Sequence, residues 1–131
     1  MVFVDSGAWF ARFVPDDPKH SAVARWIDAS AEPLVTTDYC VDETLTLLVA
    51  RKRPSVALRA GRFFFQESLV TLHFVTAEQI HRAWIVFQQH AAAGWSFTDC
   101  TSKVVIDELS IRTAVALDEH FRQFGTTAIV P

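Results

Sequence analysis

The apolar positions of this chain fall into short β-branched runs separated by stretches with helical spacing. Val2 to Val4 form the first run and end at Asp5-Ser6-Gly7, which reads as a buried strand leading into a helix. Asp17-Pro18 is the next start signal. Asp caps there, Pro takes the first helical position, and Ala22, Val23, Trp26 and Ile27 recur at helical spacing until Pro33. Leu34 to Thr36 make a second strand, and Tyr39 to Arg51 predicts a helix with Val41, Leu45, Leu48 and Val49 on one side. Beyond Pro54 another helix runs through Ala57, Leu58 and Phe63 to Glu67. Phe63, Phe64 and Phe65 are consecutive, so at about 100° per residue they cannot all face one core, and at least one is expected to be an interface anchor.

Val70 to Val75 read as a third strand. Thr76 with Gln79 matches a capping box at the start of a helix through Ile80, Ala83, Trp84 and Phe87. Ala91 to Trp95 is a loop, and Ser96-Phe97-Thr98-Asp99 opens a further helix running through Val104, Val105 and Leu109. A fourth strand, Thr113 to Leu117, ends at Asp118. A short helix to Phe124, a stop at Gly125 and a last strand, Thr127 to Val130, complete the pattern. Strands alternating with helices predict an α/β fold, with a mainly parallel sheet of four to five short strands covered on both faces. There is no internal repeat or linker, and 131 residues suffice for one domain that buries roughly two-thirds of its unfolded surface, so residues 1–131 are read as a single domain.

Composition narrows the classes. Half the residues are apolar, and eleven Phe with four Trp in so short a chain predict that some aromatics are covered by another subunit or protein. The net charge of −3 leaves no broad basic footprint, so a polyanion approaching the acidic residues would need metal ions between them and local Arg or Lys. Cys40 and Cys100 are too few for a disulfide framework, and a reducing cytoplasm fits best. No apolar run approaches the roughly 18 residues of a membrane span. The first residues lack the basic start and long apolar stretch of a secretory signal, so neither a membrane nor export is expected.

Against this background four carboxylates stand out, Asp5, Glu43, Asp99 and Asp118, each at the beginning or end of an apolar element. Ligands of open α/β sheets bind beyond the carboxyl ends of the strands. Asp5 and Asp118 follow strands and lie at that edge; Asp99 opens a helix and Glu43 lies near the start of another, on a stripe with Leu47 and Ala50 that reads as semi-buried. Four oxygen donors without His or Cys companions suit Mg²⁺ or Mn²⁺ better than zinc. Such ions activate water and stabilise the leaving oxygen of a phosphodiester, so the chemistry read from the residues is metal-assisted phosphodiester hydrolysis. Each residue taken alone has a plainer reading: Asp99 and Asp118 as helix caps, Asp5 as a turn residue, Glu43 as a solvated helix residue.

Other carboxylate chemistries fail on the letters. An aspartyl-nucleophile phosphatase wants a second Asp where Gly7 stands, a phosphoacceptor domain wants an acidic pair after the first strand, and no Gly-x-Ser-x-Gly elbow supports Ser6 as a nucleophile. The five histidines lack metal-ligand spacing and read as structural or exposed, with His120, two residues from Asp118, set apart. Arg51-Lys52-Arg53 reads first as a solvated helix end and second as a grip for substrate phosphates.

Four segments carry a resemblance: Val2-Phe3-Val4-Asp5-Ser6-Gly7-Ala8-Trp9, Asp42-Glu43-Thr44-Leu45-Thr46-Leu47-Leu48, Trp95-Ser96-Phe97-Thr98-Asp99-Cys100 and Ala116-Leu117-Asp118-Glu119-His120-Phe121. In order and spacing, over essentially the whole chain, they resemble the PIN domain, in particular the VapC-type ribonuclease toxins of toxin–antitoxin pairs. The third segment is the most specific. The resemblance implies a three-layer α/β/α sandwich, Mg²⁺- or Mn²⁺-dependent endoribonuclease activity, an RNA substrate, a homodimer and a cognate antitoxin. It maps the acidic set onto Asp5, Glu43, Asp99 and Asp118, with Asp5 and Asp99 the principal metal ligands and Thr98 a supporting hydroxyl. One departure is Lys103, one turn beyond Asp99, where a large apolar residue is expected; its charge is within reach of Asp99, or it snorkels to solvent. The competing readings are a PIN-fold module that binds RNA or protein without cutting, and a PIN nuclease outside any toxin pair.

Overall fold

The computed structural model describes residues 1–125 and 127–131. Among them five strands form one parallel sheet in the order β3-β2-β1-β4-β5: β1 (Val2–Val4), β2 (Leu34–Thr37), β3 (Thr71–His73), β4 (Thr113–Val115) and β5 (Ala128–Val130). Six α-helices accompany it: α1 (Ser6–Phe13), α2 (His20–Ala29), α3 (Asp38–Ala50), α4 (Pro54–Gln66), α5 (Ala77–His90) and α6 (Phe97–Glu108). The predicted α/β fold is therefore present, with every strand pair parallel.

Alternation along the strands assigns the layers, because successive side chains of a strand point to opposite faces. Val2, Val4 and Val115 pack with Trp9, Val23, Val41, Leu48 and Phe64, which puts α1 to α4 against one face. Phe3, Val35 and Ala114 pack with Ala83, Val104, Val105 and Phe121, which puts α5 and α6 against the other. The chain builds outward from β1 to β3, then crosses back to place β4 on the other side of β1. The switch point of the sheet thus lies between β1 and β4, and it is at such a point, beyond the strand ends, that open α/β sheets bind their ligands.

Local signals explain most boundaries. The Thr76/Gln79 capping box is formed with both reciprocal bonds present, as predicted. Of the three consecutive phenylalanines, Phe64 is buried, Phe63 meets Trp9 and Phe13 edge-on, and Phe65 is 59% exposed. Several expectations differ from the structure, among them the fourth strand, which ends at Val115 and so stops short of Asp118. The Asp17-Pro18 signal makes a turn instead of a helix start: Asp17 accepts from the Lys19 amide at 2.8 Å, and the helix begins at His20. The buried stripe of α3 is Cys40, Val41, Thr44 and Leu48, while Val49 faces outward because α4 returns on the Leu48 side. The third strand is Thr71–His73, shorter at both ends than its apolar run.

The basic run closes α3. Lys52 takes a left-handed φ of 61°, Arg53 pairs with Asp16 at 2.7 Å and the Arg51 guanidinium lies 5.9 Å from the Phe10 ring, so the helix-end reading holds. Among the described residues no helix is long and apolar enough to cross a membrane.

Candidate active site

Asp5 leaves β1 at its carboxyl end and is pinned there by the backbone. Its amide donates to the Val115 carbonyl of β4 at 3.0 Å, and its carbonyl accepts from Trp9 to start α1. The side chain makes no capping bond to that helix and is only 4% exposed. Burial, aided by the charges of Asp99, Glu43 and Asp118 and opposed by the Ser6 backbone N–H, pushes the Asp5 carboxyl up to about 7. The charges of the other three predicted carboxylates thus reach Asp5. Nearly dry oxygens surrounded by like charge are a site that a cation relieves.

The other three arrive from different elements. Asp99 sits at the third position of α6, where its Oδ2 accepts from the Ser96 amide at 2.9 Å while its own amide donates to Ser96 Oγ at 3.0 Å. Ser96 is the cap, so the plainer reading of Asp99 as the cap is corrected: it is the reciprocal member of a capping box and is 6% exposed. Asp118 caps a 3₁₀ turn, Glu119–Gln123, accepting from the His120 amide at 2.9 Å. That structural role is compatible with facing the site.

Glu43 differs from its expected environment. It is exposed, on a stripe where Leu47 is half-buried and Ala50 exposed, yet its Oε1 accepts a hydrogen bond from Ser6 Oγ, which holds the carboxylate beside the start of α1. A stripe drawn on α3 alone cannot include that contact, because Ser6 comes from another helix.

Two companions were not expected. His120 Nδ1 lies 3.0 Å from Asp99 Oδ2 and 3.2 Å from Asp118 Oδ1, and the three side chains bring ligand atoms within 4.8 Å of one another. The imidazole is braced by Trp95, whose ring centroid is 6.3 Å away and whose Nε1 donates to Gln123 at 3.0 Å. Gly94, at a φ of +89°, turns the chain from the end of α5 into this wall, a conformation that side chains other than glycine's rarely adopt. The second companion is Cys40, whose Sγ donates to Asp5 Oδ1 at 3.7 Å. In sequence the only hint was the proximity of His120 to Asp118; Cys40 carried none.

Lys103 does not turn to Asp99. Its ammonium pairs with Asp107 at 2.8 Å, lies 5.6 Å from the Phe124 ring and approaches the Phe124 carbonyl at 3.4 Å. The i,i+4 spacing and an aromatic face draw the charge along the helix away from the capping box.

Both cysteines are free and buried. Burial, then the Asp5 charge, pushes the Cys40 thiol up to about 12, and burial with Asp99 pushes Cys100 up to about 11. The thiolate is the reactive form, so Ellman's reagent should leave both thiols of the native protein unmodified at pH 8 and titrate two on unfolding in denaturant. Rapid native labelling would contradict this account of the Asp5 pocket.

No protein-family model matches the chain. Individual proteins do. The chain is 34% identical to the 23S rRNA-specific endonuclease VapC20 of Mycobacterium tuberculosis over 135 aligned positions, covering 100% of this chain and 99% of the relative. It is 28% identical to a VapC ribonuclease of Archaeoglobus fulgidus, over 90% of this chain and 77% of the other. The crystal structure of Mycobacterium tuberculosis VapC20, described as a sarcin-ricin loop cleaving toxin, superposes with a TM-score of 0.92 over the full length of both chains, at 28% identity. FitAcB from Neisseria gonorrhoeae superposes at 0.73 with 12% identity, over 100% of this chain and 97% of that one, a likeness of fold alone.

Proposed function

The chain belongs to the VapC family of PIN-fold ribonuclease toxins, and on that footing we propose that residues 1–131 are one nuclease domain whose Asp5, Glu43, Asp99 and Asp118 hold Mg²⁺ or Mn²⁺ for RNA hydrolysis. The observation that carries this reading is the nearly buried Asp5 carboxylate at the end of β1, its pKa raised by burial and by the like charges of Asp99, Glu43 and Asp118.

The donor set fits a hard divalent cation. It is built of carboxylate oxygens, and hydrogen bonds hold chosen oxygens in place: Ser96 and His120 on Asp99 Oδ2, the His120 amide on Asp118 Oδ1, Ser6 on Glu43 Oε1. Asp5 and Asp99 are the principal ligands, rigidly mounted on β1 and α6. Glu43 and Asp118 are more exposed and complete the site from the solvent side. Bound there, the cation supplies activation of water and neutralisation of charge at the leaving oxygen. The chain's own contribution is to fix the carboxylates through the backbone and side-chain hydrogen bonds that hold them.

The substrate is RNA, with 23S rRNA the first to try because that is what VapC20 cuts. The partner is a cognate antitoxin, and the active form a homodimer in the cytoplasm. Leu58 and Phe65, seven residues apart on one face of α4 and 65% and 59% exposed, are the apolar surface offered to one of them.

The test uses the purified protein, free of any partner, with ribosomal RNA in Mg²⁺ or Mn²⁺, then with excess EDTA, then with metal restored. Cleavage that stops and returns with the metal is expected. RNA binding without metal-dependent cleavage would instead favour a non-catalytic module.

A further inference from the structure

We infer that His120 is a positioning residue for the metal site, its imidazole N–H holding Asp99 and its backbone amide holding Asp118 in the orientation that presents their other oxygens to the cation. The inference rests on the reading of Asp99 and Asp118 as metal ligands and goes beyond it by adding a group that is not itself a carboxylate.

The hydrogen bonds are distributed unevenly. Asp99 Oδ2 accepts from the Ser96 amide at 2.9 Å and from His120 Nδ1 at 3.0 Å; Asp118 Oδ1 accepts from the His120 amide at 2.9 Å and lies 3.2 Å from Nδ1. Among the described residues these bonds all fall on one oxygen of each carboxylate. Asp99 Oδ1 and Asp118 Oδ2 are left for a ligand, with the carboxylate planes held from behind.

One residue bonds both acids. Asp99 comes from α6 and Asp118 from the segment after β4, so the ring and the backbone amide of His120 together couple two elements that approach the site independently. The imidazole is held for this task. Trp95, 3% exposed, stacks near it at an interplanar angle of 26°, and the next residue, Phe121, is fully buried between Phe3 and Phe124. A protonated Nδ1 that donates to Asp99 has no lone pair to offer a metal, so the same geometry that makes His120 a positioning group argues against its serving as a ligand through Nδ1. Outer partners of this kind fix ligand orientation, and their loss typically weakens metal binding by roughly 10- to 100-fold.

The clamp makes a specific demand on substitutions. An Asn side chain places its amide NH₂ close to where Nδ1 stands, whereas Ala offers no donor and Gln reaches past the position. The experiment measures Mn²⁺ binding by the loss of the free-ion electron paramagnetic resonance signal, for the wild-type protein and for H120A, H120Q and H120N, with thermal unfolding recorded for each. His120→Ala should raise the half-saturating Mn²⁺ concentration by roughly 10- to 100-fold, and His120→Asn should restore it to within a few fold of wild type, with Gln closer to Ala. Electron spin echo modulation of the wild-type Mn²⁺ complex should lack the strong coupling of a directly bound imidazole nitrogen. Unchanged Mn²⁺ affinity in a folded His120→Ala protein, failure of Asn to rescue where Ala is impaired, or a directly coordinated nitrogen would each overturn the inference. A wild-type protein that is folded but binds no Mn²⁺ would instead remove the underlying reading of Asp99 and Asp118, and the clamp with it.

Discussion

Asp5→Asn yields a protein that no longer cleaves RNA in Mg²⁺ yet melts at a higher temperature than wild type at pH 8 without metal. The two effects share one cause. Burial and three like charges push the Asp5 carboxyl up to about 7, whereas the unfolded chain loses that proton near 3.9. Between these values the folded state holds the extra proton, so rising pH favours unfolding. The stabilisation is fully present below about pH 4 and is lost as pH rises through about 7. Linkage at about 1.4 kcal/mol per pH unit across this window sets an upper bound of about 4 kcal/mol.

Asn carries no charge and escapes that penalty, so the gap in melting temperature should open between pH 4 and 7 and persist above. At this chain length each kcal/mol corresponds to about 3–5 °C. Saturating Mg²⁺ should close the gap by stabilising wild type alone. Asp99→Asn should abolish cleavage equally, by more than the roughly 100-fold expected for loss of an outer partner. Equal melting curves at pH 4 and pH 8, or full cleavage by either variant, would sink the account of Asp5 as a charge strained for a cation.

Phe121→Ala has the other large expected effect, on stability and site together. Its ring is fully buried, 6.3 Å from Phe3 of β1 and 4.5 Å from Phe124, and it nails the 3₁₀ turn that carries Asp118 and His120 onto the sheet. Deleting a phenyl ring from such a site costs about 3–5 kcal/mol, a large part of the 5–15 kcal/mol typical of a domain. Urea unfolding should read that loss, and Phe121→Leu should recover most of it. Cleavage by the Ala variant, assayed where it remains folded, should also fall because the turn is no longer seated. A loss below about 1 kcal/mol would mean that the turn is held elsewhere.

The contrast between Asp99 and Glu43 explains why the candidate site was legible to different depths. Asp99 belongs to Ser96-Phe97-Thr98-Asp99, whose capping geometry is local and fixes the side chain wherever the helix goes. Glu43 is held by Ser6 of another helix, and no periodicity on its own helix contains that partner. Asp5 was placed correctly because a β-branched run predicts its own end. Lys103 was left between Asp99 and solvent, and the choice fell to Asp107 and the Phe124 ring, one a neighbour in sequence and the other brought by the fold.

What the sequence determined by itself was the order of elements, the parallel α/β arrangement, the Thr76/Gln79 capping box and the arrival of acidic residues at strand and helix ends. These follow from periodicity and from hydrogen bonds spanning three or four residues, interactions that a short segment contains whole. Only the tertiary structure decided that the His120 ring bonds Asp99, that Cys40 lies against Asp5, that Glu43 is exposed yet tethered, and that Phe65 is the phenylalanine left outside. Each of these depends on which distant side chains share a few ångströms, and that is set by how the sheet crosses over at β1 and β4, which pattern along the chain does not encode.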